Sequence, residues 1–223
     1  MPVRRDGRLR NLLRGYRFRV CESPDDIRRA LDVRRQVYRD ECGYDVAIPD
    51  DYDARSWMLL ALDADSGDAV GSLRMTPRAA GPIEAEEYFV LPPSLTSGRI
   101  VEATRFAILP SHRTGPRFLP AVALGLFKLC IRYVLALGAD SVVVCAKPER
   151  VWTYEWIGFE RTGRSAPYLT LDGSLHELMV SRVGSAIERS RGHHRFWEFL
   201  VESDDLEIVV PSPAAWPDVA RTG

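Results

Sequence analysis

The sequence predicts an α/β (α+β) protein with a mixed central sheet flanked by helices, and three observations carry the prediction. Short apolar runs of strand length alternate along the chain with longer amphipathic segments. Two of those runs, Ser56 to Asp63 and Ala69 to Thr76, are separated by Asp65-Ser66-Gly67-Asp68, which is a hairpin turn signal. The run Val142-Val143-Val144-Cys145 is too short and too β-branched to be a helix, and it follows a long apolar segment that stops at Gly138. A hairpin together with helix-to-strand connections requires a mixed sheet covered by helices.

Taken in order, Tyr16 to Cys21 reads as a strand. Ser23-Pro24-Asp25-Asp26 then supplies an N-cap, a proline at the first helical position and acids in the first turn, so a helix runs to about Glu41 and ends near Gly43. Asp50-Asp51-Tyr52-Asp53 is a polar loop, the hairpin follows, and Ile100 to Leu109 is a further strand. The longest apolar stretch, Phe118 to Gly138, contains Pro120, Lys128 and Arg132. Two charges at i,i+4 spacing argue against a membrane span and give a helix over about 118–137 one wet stripe. Lys147 to Trp156 forms one more helix, and Gly158-Phe159 opens a terminal strand pair completed by Leu175 to Val183. Beyond Gly184 come an amphipathic candidate, Ala186 to Val201, and an acidic, Pro-rich tail. The expected organisation is a basic arm over 1–15, one domain over 16–183 and an appended segment over 184–223.

Composition excludes several classes. The chain has 223 residues, 46% hydrophobic and 27% charged, with 30 basic against 31 acidic side chains, which is a globular profile and neither disordered, collagenous nor coiled-coil. A net charge of -1 excludes the broad positive field of a general nucleic-acid binder. The first twenty residues hold seven Arg against one acid, with Leu9, Leu12 and Leu13 interleaved, which fits a solvated arm or a contact with an anionic membrane or carrier protein. With no continuous apolar h-region or small-residue cleavage site, that stretch does not read as a secretory signal. Cys21, Cys42, Cys130 and Cys145 form no CxxC, and His112, His176, His193 and His194 have no ligand spacing, so neither a metal site nor a disulfide framework is expected. Reduced thiols fit a cytoplasmic location.

Four local patterns carry the chemistry. They are Arg34-Arg35-Gln36-Val37-Tyr38 with Asp40-Glu41-Cys42-Gly43-Tyr44; Asp50-Asp51-Tyr52-Asp53; Gly71-Ser72-Leu73-Arg74; and Val101-Glu102-Ala103-Thr104-Arg105-Phe106. Glu102 sits inside an apolar strand, where a carboxylate is costly unless it is paired or used. Strand alternation puts Glu102 and Thr104 on one face and Arg105 on the other unless a bulge intervenes. This order of motifs resembles the acyl-homoserine-lactone synthases, over about residues 16–183, and implies the GNAT acyltransferase fold. Their acidic loop resembles Glu-x-Asp-x-x-Asp, and the corresponding positions here are Ile48, Asp50 and Asp53. One carboxylate is missing, which disfavours the cationic S-adenosylmethionine acceptor of that family. The chain is closer in likeness to the N-acyl amino acid synthases of the FeeM type, which acylate the amine of an amino acid. Tyr154-Glu155-Trp156-Ile157-Gly158-Phe159 also resembles the GNAT Tyr-Glu-x-x-Gly-Phe element, whose Tyr approaches the thioester sulfur.

The resemblance implies that Glu102 deprotonates the attacking ammonium and that Tyr154 assists the leaving thiol. It places Arg34, Tyr38, Asp50, Asp53, Arg74 and Arg105 around the acceptor. The backbone at Phe106 and Ile108 would polarise the thioester carbonyl. Each assignment has a structural alternative: an ion pair of Glu102 with Arg74 or Arg105, a core role for Tyr154, and fold-holding salt bridges for the other charges. No permanently bound cofactor is expected; the donor is acyl-phosphopantetheine on acyl carrier protein, or acyl-coenzyme A. GNAT enzymes that use coenzyme A carry a Gly-rich loop before the long helix, whereas Ser111 to Phe118 has one Gly followed by Pro116, which offers no N–H to a pyrophosphate. Arg113 and Arg117 there suit an acidic carrier protein. Leu126, Phe127 and Trp152 are candidates for an apolar acyl channel, and Cys145 for an inert buried thiol rather than a nucleophile. The remaining alternatives are an acyl-homoserine-lactone synthase and a catalytically inactive GNAT-like binding module.

Overall fold

The structure is a computed structural model, and it describes residues 11–113, 119–169, 171–190, 199–201, 207–210 and 212. The strands are β1 (Tyr16–Val20), β2 (Trp57–Asp63), β3 (Ala69–Pro77), β4 (Ile100–Ile108), β5 (Ser141–Ala146), β6 (Glu160–Pro167), β7 (Leu175–Arg182) and β8 (Ile208–Val209). The helices are α1 (Pro24–Arg35), α2 (Ala121–Leu137), α3 (Val151–Trp156) and α4 (Val183–Ser190). One mixed sheet has the order β6-β7-β5-β4-β3-β2-β1-β8, antiparallel except at β4–β5 and β1–β8. The predicted class is therefore observed.

Local chemistry explains the elements. Ser23 Oγ accepts from the Asp26 N–H at 3.1 Å and starts α1, with Pro24 and two acids in the first turn. The helix does not run unbroken to Glu41 as predicted: Gln36–Glu41 winds into a π-turn, a widening that often accompanies functional sites. Gly138 adopts φ 63 and closes α2, as its position after the apolar stretch predicts. The segment between β3 and β4, read as no element, is tied into short 3₁₀ turns at Arg78–Ala80, Glu84–Glu87 and Pro93–Leu95.

Two irregularities in β4 shape everything that follows. Its register with β3 shifts between Ser72 and Arg74, and Arg105 sits at φ 55, an uncommon conformation outside glycine. The bulge turns the Arg105 side chain to the face that carries Thr104, so simple alternation fails there. On its other edge β4 pairs with β5 only from Ile100 to Glu102, opposite Ser141 to Val143, and then the strands part.

The main core lies between the sheet and α2. Phe18, Leu59, Met75, Val122, Leu126 and Tyr133 are all at most 2% exposed. The segments flanking the predicted domain join it. Leu13, Phe199, Leu200 and Ile208 pack into the same core, and the Phe18 N–H donates to the Glu207 carbonyl at 2.7 Å, which starts the edge strand β8. The predicted helix over 186–201 begins earlier, at Val183, and His193 and His194 lie outside the described residues.

Gly125 in α2 is required by a close approach: a Cβ there would lie 2.0 Å from the buried Phe18 ring. Gly125→Ala gains about 1 kcal/mol of helix propensity but overpacks the core at a cost of about 1–3 kcal/mol or more. The expected outcome is a lower urea midpoint with an unchanged m-value.

Candidate active site

Where β4 and β5 part, a cleft of about 620 Å³ opens through the sheet. Its volume falls in the ordinary range for small-molecule sites. One side is polar and is lined by Tyr38, Glu84, Arg105, Lys147, Tyr168 and His176. The other is apolar and is lined by Phe106, Ile108, Leu119, Ala123, Phe127 and Tyr154. The π-turn after α1 delivers Tyr38, whose hydroxyl donates to the Phe106 carbonyl at 3.4 Å.

Behind the polar side lies a buried ionic network. Arg34 Nη1 binds both oxygens of Asp53, at 2.8 and 2.9 Å. Arg74 reaches Asp50 at 2.5 Å, Asp53 at 3.2 Å, Glu84 at 2.5 Å and the Thr104 hydroxyl at 3.2 Å. Arg105 completes the set with Glu84 at 2.7 Å and Asp50 at 3.3 Å. Three guanidiniums thus face three carboxylates with little solvent. Burial alone would lift the Asp50 carboxyl, but Arg74, Arg105 and Arg34 overcome it and hold its pKa low. For Glu84 burial prevails over Arg105 and Arg74, and its pKa is raised.

For Arg34 and Arg74, expected around the acceptor with fold-holding salt bridges as the alternative, this network provides the salt bridges. Both are fully buried and paired with protein carboxylates, Arg34 with Asp53 and Arg74 with Asp50, Asp53 and the Glu84 that the 84–87 turn inserts between Arg74 and Arg105. Of the six expected acceptor residues, Tyr38 and Arg105 line the cleft, while Arg34, Asp50, Asp53 and Arg74 stand behind it. Ile48, where the resemblance expected a carboxylate, is buried at 8% exposure.

Glu102 is also set back from the cleft surface. Its oxygens accept from the backbone N–H groups of Glu84 and Ala85 at 2.9 and 2.8 Å, so it anchors the 84–87 turn and forms no ion pair with Arg74 or Arg105 among the described residues. Complete burial, then the nearby Glu84 carboxylate, push its pKa up to about 8 against the pull of Arg74 and the two N–H donors.

On the donor side, Arg113 Nε donates to the Ile108 carbonyl at 2.8 Å, and its other nitrogens grip Glu41 at 2.5 and 2.6 Å. Arg117 lies outside the described residues. Phe106 and Phe127 stack at 5.0 Å, and Tyr154 meets Phe127 edge-on at 6.0 Å. Burial lifts the Tyr154 hydroxyl well above its ordinary value. A second cavity of about 50 Å³, walled by Phe127, Tyr154, Ile131, Val134 and Val142, continues behind this aromatic trio. Of the three expected channel residues only Phe127 lines it; Leu126 points into the core beside Gly71, and Trp152 is exposed. The Cys145 thiol lines the cleft, but burial raises its pKa well above normal, the state of an inert thiol.

Sequence reasoning missed Glu84, Lys147, Tyr168 and His176 as cleft residues. Glu84 left one trace, the acidic run Glu84-Ala85-Glu86-Glu87 after Ile83. Lys147 bonds Asp172 at 2.7 Å and Tyr44 at 3.2 Å. His176 had been weighed only as a metal ligand, and no cluster able to hold a metal ion occurs among the described residues.

A parted strand pair beside a long helix, with a two-sided cleft, marks the GNAT fold, and the sequence pattern of the N-acyl amino acid synthase FeeM family matches residues 29–181. The chain belongs to the FeeM N-acyl amino acid synthase family. It is therefore an acyltransferase. The structure is similar to FeeM, an N-acyl amino acid synthase from uncultured soil microbes, with TM-score 0.63 and 16% identity over 78% of this chain and 93% of that one. It is similar to BjaI, a coenzyme A-dependent acyl-homoserine lactone synthase, solved with S-adenosylmethionine and isopentyl-coenzyme A, with TM-score 0.65 and 16% identity over 93% and 98%. It is similar to a putative N-acetyltransferase from Lactobacillus plantarum, with TM-score 0.54 and 15% identity over 76% and 99%. No sequence among curated proteins matches the chain.

The raised Glu102 pKa makes a signed prediction. A carboxyl with a pKa raised on folding contributes stability that is complete below its unfolded value and is lost as pH rises through about 8. Glu102→Gln removes that dependence while losing one N–H acceptor. The variant should be less stable than the parent at about pH 6, and the gap should narrow toward pH 9 in urea titrations. A gap that widens would show that the ionised form is the one the fold prefers.

Proposed function

We propose that the protein transfers a fatty acyl group from a thioester of acyl carrier protein, or of coenzyme A, to the amine of an amino acid. The observation that carries this reading is the two-sided cleft. Its apolar side borders a small apolar cavity that shares Phe127 and Tyr154 with it and extends the apolar surface open to an acyl chain. Its polar side sets Arg105 and Lys147 against the single acid Glu84, which suits an acceptor bearing a carboxylate and offers little to a sulfonium cation. In the reaction the amine nitrogen attacks the thioester carbon, the carbonyl oxygen becomes an oxyanion, and the thiolate leaves as the amide forms. A backbone N–H of Phe106 to Ile108, on the edge of β4 that β5 has left, stabilises the oxyanion. A thiolate is a good leaving group with a parent pKa of about 8.5, so Tyr154 serves by packing beside the sulfur and donating only as needed.

The ammonium proton passes to the Glu84 carboxylate at the cleft wall, and Glu102 behind it sets the charge of the network through its own protonation state. With Glu102 neutral the inner network balances three positive and three negative charges; its ionisation adds one negative charge and favours a cation at the cleft. Glu84→Gln and Glu102→Gln should each lower kcat with the donor KM nearly unchanged, and part of the loss should return at higher pH, where free amine is common. Unchanged kcat in both variants would leave the pair a purely structural role.

The donor preference rests on the segment from Ser111 to Phe118, whose one Gly and following Pro make a poor pyrophosphate cradle, with Arg113 at its edge. The test supplies one acyl chain on acyl carrier protein and on coenzyme A, with either a mixture of amino acids or S-adenosylmethionine, and identifies products by mass. N-acyl amino acid is expected, with the higher kcat/KM on the carrier protein. Acyl-homoserine lactone without N-acyl amino acid would overturn the acceptor, and equal or better turnover on coenzyme A would overturn the donor.

A further inference from the structure

Tyr168 precedes the β6–β7 turn and lines the polar side of the cleft at 3% exposure. Its main chain is fixed: its N–H donates to the Ser174 carbonyl at 3.0 Å, and its carbonyl accepts from Leu171 and Gly173 at 3.2 and 3.1 Å. Its ring is fixed as well. Tyr88 stacks on it at 4.1 Å and 29°, and His176 packs on it at 4.7 Å. His176 Nδ1 stands 2.9 Å from the same Ser174 carbonyl, which only accepts, so that nitrogen carries the proton and the imidazole cannot turn.

Against this rigidity, the Tyr168 hydroxyl has no oxygen or nitrogen partner among the described residues. It is buried beside the Cys145 thiol, in the field of Glu84 and Glu102 and close enough to feel Arg105. Burial keeps it a neutral phenol, since its pKa is raised well above the ordinary value. The thiol is a weak hydrogen-bonding group, so the hydroxyl oxygen is left poorly satisfied, and phenylalanine would fill the same space at little cost. A tyrosine held rigidly in that state is accounted for by a partner that arrives with substrate.

We propose that Tyr168 is an acceptor-binding residue, whose hydroxyl oxygen accepts one N–H of the acceptor amine and so aims the nitrogen lone pair at the thioester. Tyr88 and His176 act as positioning residues that hold the phenol in place. The inference rests on the amine-acylation reading above and names the group at which that site recognises nitrogen.

The test compares the full-length protein with Tyr168→Phe, using decanoyl thioesters of acyl carrier protein and coenzyme A against each of the twenty amino acids. The variant should raise the acceptor KM, or lower kcat/KM for the acceptor, about tenfold, with the donor KM within about twofold. Its Tm should stay close to that of the parent, because the only contact removed is with the weakly bonding Cys145 thiol. An acceptor kcat/KM equal to the parent's overturns the assignment. A fall in Tm does so too, because it reveals a structural partner for the hydroxyl. If the parent itself forms no N-acyl product with any amino acid, the amine-acylation reading falls and this inference falls with it.

Discussion

The Glu84 carboxylate, clasped between Arg74 and Arg105, is the contact on which the rest of the site depends. Removing two guanidiniums and a carboxylate from water is costly, and the cost is offset only when every charge meets a partner at short range. Here Arg74 reaches Glu84 at 2.5 Å and Arg105 reaches it at 2.7 Å. The clasp ties the 84–87 turn to β3 and β4, and Glu102 secures the same turn from beneath through two backbone N–H groups. Losing Arg74 would leave Glu84 and Asp50 buried beside a single guanidinium, a change that typically costs about 3–5 kcal/mol.

The bulge in β4 follows from that clasp. A regular strand would send Arg105 to the face opposite Thr104, away from Glu84. The φ of 55 at Arg105 brings the guanidinium round, and the strain is held by Glu84 and Asp50 together. The same irregularity follows where β5 departs, so the backbone past Arg105 has no partner on its β5 edge while β3 still pairs with Ala107 and Ile108 on the other. Charge burial, strand bulge and cleft are one arrangement seen at three scales.

Much of the fold was legible because it depends on local signals: the Ser23 cap, the Asp65 to Asp68 turn, the glycine ending α2 and the β-branched run of β5 all mark elements where the structure has them. The site was legible only in part. Motif order identified Arg34, Asp50, Asp53, Arg74, Glu102 and Arg105 as a group, and the structure brings them together, yet four of the six acceptor residues named in advance lie behind the cleft. Which charges face substrate is decided by Glu84, and Glu84 arrives on a segment without periodicity, placed by long-range pairing. Tyr168 and His176 escaped for a similar reason: their meaning comes from stacking with Tyr88, across the β3–β4 connection, which no local pattern encodes.

The charge balance behind the cleft bears on what the protein can accept. A network whose arginines are already paired with carboxylates cannot supply a two-pronged grip on another carboxylate without breaking a buried pair, so the carboxylate of the proposed acceptor would meet cations nearer the mouth. Lys147 is the lysine that lines the cleft, and its contacts with Asp172 and Tyr44 are part-exposed. Exposed pairs are weak, about 0–1 kcal/mol, so an incoming carboxylate can displace Asp172 at small cost. For the proposed amino acid acceptor, recognition would then divide by depth: the mouth would meet the carboxylate through Lys147, and the interior would meet the amine through neutral and negatively charged groups held by the sheet. An acceptor whose amine enters first and whose carboxylate stays outermost satisfies both ends, whereas the reverse orientation would drive an anion toward Glu84 and Glu102.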